Sequence, residues 1–286
     1  MDSTHDRAAE DVGNIIALEH VNVCIPDQQL ATIFYVTGLG LTRDPFMMTS
    51  VDNMWINVGR SQFHLPTANP QLLRGHVGIV LPDREAFIRR LTRVSEALSG
   101  TQFAFHEYPS YVEVLSPWGN RIHCHEPGER FGPITLGMPY VQFDVPVGTA
   151  KAIARFYRQI MGAPASMRAD DGSPYAEITV GTSQSLIFRE SAQPAAPYDG
   201  HHIQIYVADF SGPYQKLRQL QLITEDEDQH QYRFKDLADP DSGAKLYTIE
   251  HEVRSLRHPL FMRPLVNRNP SQSNVRYAPG RDEWIY

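Results

Sequence analysis

One supersecondary pattern recurs four times along the chain, and this repeat restricts the fold more than any other feature. "IIALEHVNVCIPD" alternates apolar and polar residues and is β-branched, as a strand requires. "QQLATIFYVTGLG" follows with apolar residues at helical spacing and glycines at its end. Strand candidates "MWINVG" and "SQFHLP" come next, with a weaker one near "LTRDPF". The second copy comprises "RGHVGIVLPD", the helix "REAFIRRLTRVSEAL", "TQFAFHEY", "YVEVLSP" and "NRIHCHE". The third runs through "MPYVQFDVPV", "TAKAIARFYRQIMG", "SPYAEITVG" and "SQSLIFRE", and the fourth through "HHIQIYVAD", "SGPYQKLRQLQL", "HQYRFKDLADP" and "AKLYTIEHE". "VGRSQFHLP" aligns with "VGTSQSLIF", "GHVGIVLPD" with "HHIQIYVAD", and "SPWGNRIH" with "DPDSGAKLY".

A unit of roughly fifty residues cannot bury its apolar face alone, so the units must pair. The expectation is an α+β fold of four βαβββ units in two domains, each a curved mixed sheet around an open groove with helices outside. Consecutive units are expected to pair, the first with the second and the third with the fourth. Residues 1–14 are then an N-terminal tail, 15–127 the first domain and 138–252 the second. "PGERFGPITLG" (127–137) is the junction. Residues 253–286 form a C-terminal tail whose Leu, Phe, Met and Trp residues let it dock on the surface.

Composition excludes several classes. The net charge is −7 and no basic stripe is evident, against a nucleic-acid partner. No apolar run reaches 18 residues, against a membrane span. The N-terminal stretch is polar and lacks a secretory h-region. Only Cys24 and Cys124 are present, on opposite strand faces, so no disulfide is expected and a cytoplasmic setting fits. No phosphate loop, nucleophile elbow or paired-cysteine zinc motif occurs.

Histidines mark the candidate site. Strand side chains alternate between two faces. Val21, Val23 and Ile25 oppose His20, Asn22 and Cys24. Phe63 and Leu65 oppose Gln62 and His64. Val77, Ile79 and Leu81 oppose His76, Gly78 and Val80, and Ile122 and Cys124 oppose Arg121, His123 and His125. One face of each strand can lie under a helix; the other must line a wetter groove. A lone strand histidine is usually a hydrogen-bonded core or surface residue, but four on the groove face at corresponding repeat positions point to a shared task.

The strand–helix–strand–strand–strand unit, with "LEHVNVCIPD…FYVTGLGLTRD", "GHVGIVLPD" and "SPWGNRIH", resembles the vicinal oxygen chelate superfamily over about residues 15–252. That superfamily includes glyoxalase I, extradiol dioxygenases, and fosfomycin-resistance and bleomycin-binding proteins. The resemblance implies metal ligands on the first and last strands of two paired units: His20, His64, His76 and His123. His64 and His123 stand where relatives commonly carry glutamate, so His64 is either the fourth ligand or a general base. Imidazole donors imply a divalent transition metal, Fe, Zn, Ni or Mn, rather than Mg or Ca.

The equivalent residues of the other two units are Tyr140, Leu186, His202 and Tyr247, which implies a metal-free second domain. A register slip in "AKLYTIEHE" would bring Glu250 to His202. Glu113 is the nearest further acid/base candidate, and Asn22, Trp55, Asn57, Arg121 and His125 are candidate substrate contacts. The implied function is a metal-dependent enzyme that binds a small-molecule substrate through adjacent oxygens, with dioxygenase, lyase and isomerase chemistry open. No carboxylate accompanies the histidines as a two-histidine-one-carboxylate site requires. The alternative is a non-catalytic small-molecule binding or resistance protein of the same fold. A homodimer through the second domain is compatible with either.

Overall fold

The computed structural model describes residues 5–266 apart from 46, 48–51 and 171. Every unit forms as its pattern requires. Unit one comprises β1 (Ile15–Asn22), α1 (Gln28–Ala31, continuing as a wider helical turn over Thr32–Gly38), β2 (Thr42–Arg43), β3 (Asn53–Val58) and β4 (Ser61–Pro66). Unit two comprises β5 (Gly75–Val80), α2 (Arg84–Val94), β6 (Ala104–Glu107), β7 (Val112–Leu115) and β8 (Arg121–His125). Unit three comprises β9 (Gly137–Pro146), α3 (Ala150–Phe156, continuing over Tyr157–Met161), β10 (Ala165–Asp170), β11 (Ser173–Thr179) and β12 (Ser185–Ser191). Unit four comprises β13 (His202–Val207), α4 (Ser211–Gln219), β14 (Ile223–Asp228), β15 (Gln231–Ala238) and β16 (Lys245–Ser255).

Within each unit the first strand runs parallel to the last, which the intervening helix permits. The result is an α+β fold of two eight-stranded mixed sheets. Their partnership differs from the expected one. The first sheet has the order β14-β15-β16-β13-β1-β4-β3-β2, joining units one and four; the second has β10-β11-β12-β9-β5-β8-β7-β6, joining units two and three. Unit one therefore does not pair with unit two, and the expected domains 15–127 and 138–252 are replaced by one contiguous sheet domain and one assembled from the chain's two ends.

Local contacts account for this choice. At Gly75, φ is +150°, and a Cβ there would lie 1.9 Å from the carbonyl oxygen of Gln142, so β5 is built to abut β9. A Cβ on Gly78 would meet the Tyr140 ring at 2.2 Å. The "PGERFGPITLG" stretch is thus a connection inside the second sheet, and the chain crosses between sheets in the segments from β4 to β5 and from β12 to β13.

The outer faces carry the core, where Val21, Phe63, Leu65, Val77, Ile79, Val141, Phe143, Ile203 and Ile205 are all buried under or between helices. Each such side chain contributes roughly 1.5–3 kcal/mol relative to exposure. The helix of unit one packs on α2, and α4 packs on the helix of unit three. Gln184 ties the sheets together: its side chain accepts from Leu18 N and donates to the carbonyls of Leu18 and Met138. Both cysteines are free. Of the expected C-terminal tail, residues to 266 are described; 267–286 lie outside the described residues.

Candidate metal centre

The inner face of the first sheet is a lattice of polar side chains set by register. β1 pairs His20 with Gln204 and Asn22 with His202 on β13. It pairs His20 with Gln62 and Asn22 with His64 on β4. β13 pairs His202 with Glu250 and Gln204 with Glu252 on β16, and β3 sets Trp55 against His64. Glu252 therefore stands to His202 as His64 stands to His20. Each lies opposite the residue two beyond its unit's first-strand histidine. The four symmetry-related positions of this groove hold His20, His64, His202 and Glu252.

Three of the four converge. The ring of His20 lies 5.6 Å from that of His64 and 5.8 Å from that of His202. One donor atom from each histidine lies within 4.8 Å of the others, the single such metal-capable group among the described residues. Three nitrogens bound to one ion at about 2.1 Å stand no more than about 3.6 Å from one another, so the rings would close by up to about 1.2 Å on binding it.

Orphaned polar atoms collect in this groove. His20 is fully buried, and neither ring nitrogen has a hydrogen-bond partner. His202 Nε2 and both amide atoms of the buried Gln204 are likewise unpartnered. A buried polar atom without a partner costs about 1–3 kcal/mol, so a cluster of them fits a bound group. Burial lowers the pKa of His20 well below the ordinary value, outweighing the opposing Glu252 charge. Burial also pushes His64 down to about 2, assisted by His20 and His202. Both rings are held neutral, the form that ligates metal.

Glu252 supplies negative charge. Its Oε2 lies 3.6 Å from His202 Nε2 and accepts a 2.5 Å hydrogen bond from Arg233 Nη2. Its Oε1 lies 2.5 Å from Arg254 Nη2, an ion pair whose angle is not that of a hydrogen bond. Burial alone would raise the Glu252 carboxyl. The His202 contact and the charges of His20, Arg254 and Arg233 more than offset this and hold it below the ordinary carboxylate range. Glu250 Oε1 lies 3.6 Å from His202 Nδ1 and 2.8 Å from Arg233 Nη1. A bulge between Leu18 and His20 lets Glu19 contact the same groove, where it meets Tyr206 and Arg254.

His64 differs from its neighbours because both of its nitrogens are engaged. Asn22 Nδ2 donates to Nδ1 at 2.7 Å, and Nε2–H donates to Asn53 Oδ1 at 2.8 Å. Trp55 stacks on the ring at 3.7 Å. Asn57 lies along the same groove, donating to the carbonyl of Val266 and accepting from Gln62.

The remaining sequence-derived candidates line the other groove. His76 stacks on His123 at 3.7 Å, and His123 Nε2 donates to Glu113 Oε2 at 3.1 Å. His125 Nε2 bonds the Tyr140 hydroxyl at 2.9 Å, and Arg121 pairs with Asp144 at 3.2 Å. The expected set His20, His64, His76 and His123 is thus divided between two sheets. Glu113, Arg121 and His125 follow His76 and His123, while Asn22, Trp55 and Asn57 stay with His20 and His64. The positions equivalent to His20 and His64 in this second groove are Tyr140 and Ile187, and Ile187 offers no donor.

His202 and Glu252 complete the first groove and were absent from the expected ligand set. Matching Gly119 to Gly243 places Tyr247 opposite His123, but β16 is longer, and its C-terminal half, Glu250–Ser255, pairs with β13. The sequence signal for Glu252 is the alternation of Glu250, Glu252 and Arg254 with His251 and Val253. A one-residue shift likewise makes Ile187, not Leu186, the counterpart of His64.

No protein-family model matches the sequence, and none of the curated proteins matches it. Solved structures do. A putative dioxygenase from Bacillus subtilis subsp. subtilis str. 168 superposes with a TM-score of 0.54 at 16% identity, over 85% of this chain and 86% of that one. Glyoxalase I from Zea mays superposes at 0.57 and 11% identity, over 83% and 92%. The cppA protein from Streptococcus pneumoniae TIGR4 gives 0.51 and 10%, over 85% and 99%. At these identities the likeness is one of fold. No helix among the described residues is long and apolar enough to cross a membrane.

Proposed function

We propose, from the vicinal oxygen chelate fold that this chain adopts, that the first groove is the active site of a metal-dependent enzyme whose ion is held by His20 and His202 of the converging histidines, with Glu252, 3.6 Å from His202 Nε2, turning in as the third donor. The observation that carries this reading is the buried pair of imidazoles with unpartnered nitrogens, beside a buried carboxylate held ionised. Two histidines and one carboxylate are the donor set of non-haem Fe(II) oxygenases, with coordination positions left open. Dioxygenase chemistry on a small substrate with two adjacent oxygens is therefore favoured over lyase or isomerase chemistry. Bound there, such an ion supplies a Lewis-acidic centre for those oxygens and for dioxygen.

The chain's own residues supply the rest. Trp55 holds the His64 ring by stacking, and Asn53 fixes its tautomer so that Nδ1 carries the lone pair. His64 belongs to the converging group, and its Nδ1 lone pair, once released by Asn22, can take a proton from a substrate hydroxyl. An anionic oxygen beside the ring raises its proton affinity above the value set by burial. Gln204 presents an unpaired amide between His20 and Glu252 for a second polar contact. The free cysteines suit a reducing, cytoplasmic setting.

The test is anaerobic reconstitution of untagged protein with Fe(II), Co(II), Ni(II) or Zn(II), followed by metal analysis and oxygen uptake with a panel of catechols. One ion per chain and uptake with the Fe(II) form are expected. No bound ion with any of the four metals overturns the reading.

A further inference from the structure

The segment following β16 crosses the mouth of the first groove and is tied at two points. Phe261 packs edge-on against Tyr206, with ring centroids 4.8 Å apart, and the Val266 carbonyl accepts from Asn57 Nδ2 at 2.7 Å. Between them Arg263 turns inward. Its Nη2 donates to Asp44 Oδ2 at 2.8 Å and to Gln62 Oε1 at 3.3 Å. Asp44 is fully buried, and Gln62 lies on β4 opposite His20, two residues before His64 on the same face. The other two guanidinium nitrogens, Nε and Nη1, are buried and have no acceptor.

A buried Nε without an acceptor recurs in Arg43, Arg74 and Arg155, but among the described residues only Arg263 also buries a terminal guanidinium nitrogen, Nη1, without one. Burying both unpaired is costly, and a guanidinium cannot shed its proton to escape the cost. Acceptors arriving with a ligand remove the penalty.

We propose that Arg263 is the anion-recognising residue of the substrate site, so that the substrate carries a carboxylate in addition to the adjacent oxygens given to the metal. The adjacent-oxygen part of this inference rests on the metal reading above; the unpartnered guanidinium does not. Gln62 and Asp44 are positioning residues that fix the guanidinium, and the segment 256–266 delivers it. Planar guanidinium groups match carboxylates with parallel hydrogen bonds, which a lysine at this position would not reproduce.

The experiment titrates the full chain loaded with Co(II) with catechol and with 3,4-dihydroxybenzoate, read from the visible spectrum of the metal. In parallel, metal-free protein is titrated with benzoate and benzamide by NMR. The carboxylated probe is expected to bind roughly ten- to a hundredfold more tightly than its neutral counterpart, as for hydrogen bonds to a charged group. Arg263→Gln should erase that advantage while catechol affinity stays within about threefold. If Arg263→Gln fails to fold, the double variant Asp44→Asn/Arg263→Gln removes the buried pair together and is compared in the same way. Equal binding of charged and neutral probes by the parent protein, or an advantage that survives in the variant, overturns the proposal. The Co(II) titration decides wherever Co(II) binds. If no Co(II) binds, the benzoate comparison decides the role of Arg263 by itself.

Discussion

Replacing Glu252 with glutamine tests the charged floor of the first groove. The carboxylate is 3% exposed and lies 2.5 Å from both Arg233 Nη2 and Arg254 Nη2. Glutamine keeps the volume, removes the charge and turns an amide group toward a guanidinium. Arg233 retains Glu250 and Arg254 retains Glu19, so the cations are under-neutralised rather than abandoned. Breaking a buried ion network by removing one partner costs roughly 3–5 kcal/mol. At about 2–4 °C per kcal/mol for a chain of this size, metal-free Glu252→Gln should melt about 6–20 °C lower at pH 7. The pH dependence has a definite sign. The Glu252 carboxyl is held below its ordinary value, so its stabilisation is fully present above the unfolded pKa near 4.3 and is lost as pH falls through the lower folded value. The gap between parent and variant should therefore narrow below about pH 4. Thermal melts and urea titrations at pH 7, 5 and 3.5 measure it. A variant melting within about 2 °C of the parent at pH 7 would refute the buried network as described.

Other perturbations probe separate links. His64→Ala should retain one metal ion per chain while turnover falls roughly 10²–10⁴-fold, as for loss of a general acid/base; loss of the ion with the side chain would make His64 a ligand instead. His76 is buried in the second groove, and burial, aided by the charges of His123 and Arg121, depresses its pKa to about 2. Its stabilisation is present above the unfolded value near 6.5 and declines as pH falls, by about 2.3 kcal/mol between pH 6.5 and 4.5. Urea unfolding of His76→Gln should show a flatter acid limb, and parallel profiles would contradict this. A fragment spanning 75–191 contains the whole second sheet and should unfold cooperatively, whereas 1–127 holds half of each sheet and should not. Stoichiometric metal binding by a folded 1–127 fragment would contradict the sheet partnership.

Period and parity made much of this molecule legible. Alternation placed His20, Asn22 and His64 on one groove face, and set His76, His123 and His125 apart from the core-facing Val77, Ile79 and Ile122, because a pleated strand leaves no other option. Partnership was not legible. The four first strands are similar in pattern, and alternation does not record which neighbour a strand will bond. That information lies in close contacts such as Gly75 against Gln142 and Gly78 under Tyr140, which join β5 to β9. Glu252 stayed hidden for a related reason. Matching a turn glycine assumes equal distances from turn to site, and β16 spends its first residues pairing with β15 alone before it meets β13. Once the register is known, His202 and Glu252 occupy the same places as His76 and His123 do in the second groove. One register thus moves the proposed metal site from the N-terminal half to the seam between the first and last units.

Metal stoichiometry of four single variants tests that relocation most directly. His20→Ala and His202→Ala, from the two end units, are compared with His76→Ala and His123→Ala, all reconstituted with Fe(II) or Co(II) and checked for folding by circular dichroism. His20→Ala and His202→Ala should lose the ion, while His76→Ala and His123→Ala keep one per chain. Full metal content in His202→Ala, together with loss in His76→Ala, would contradict the account.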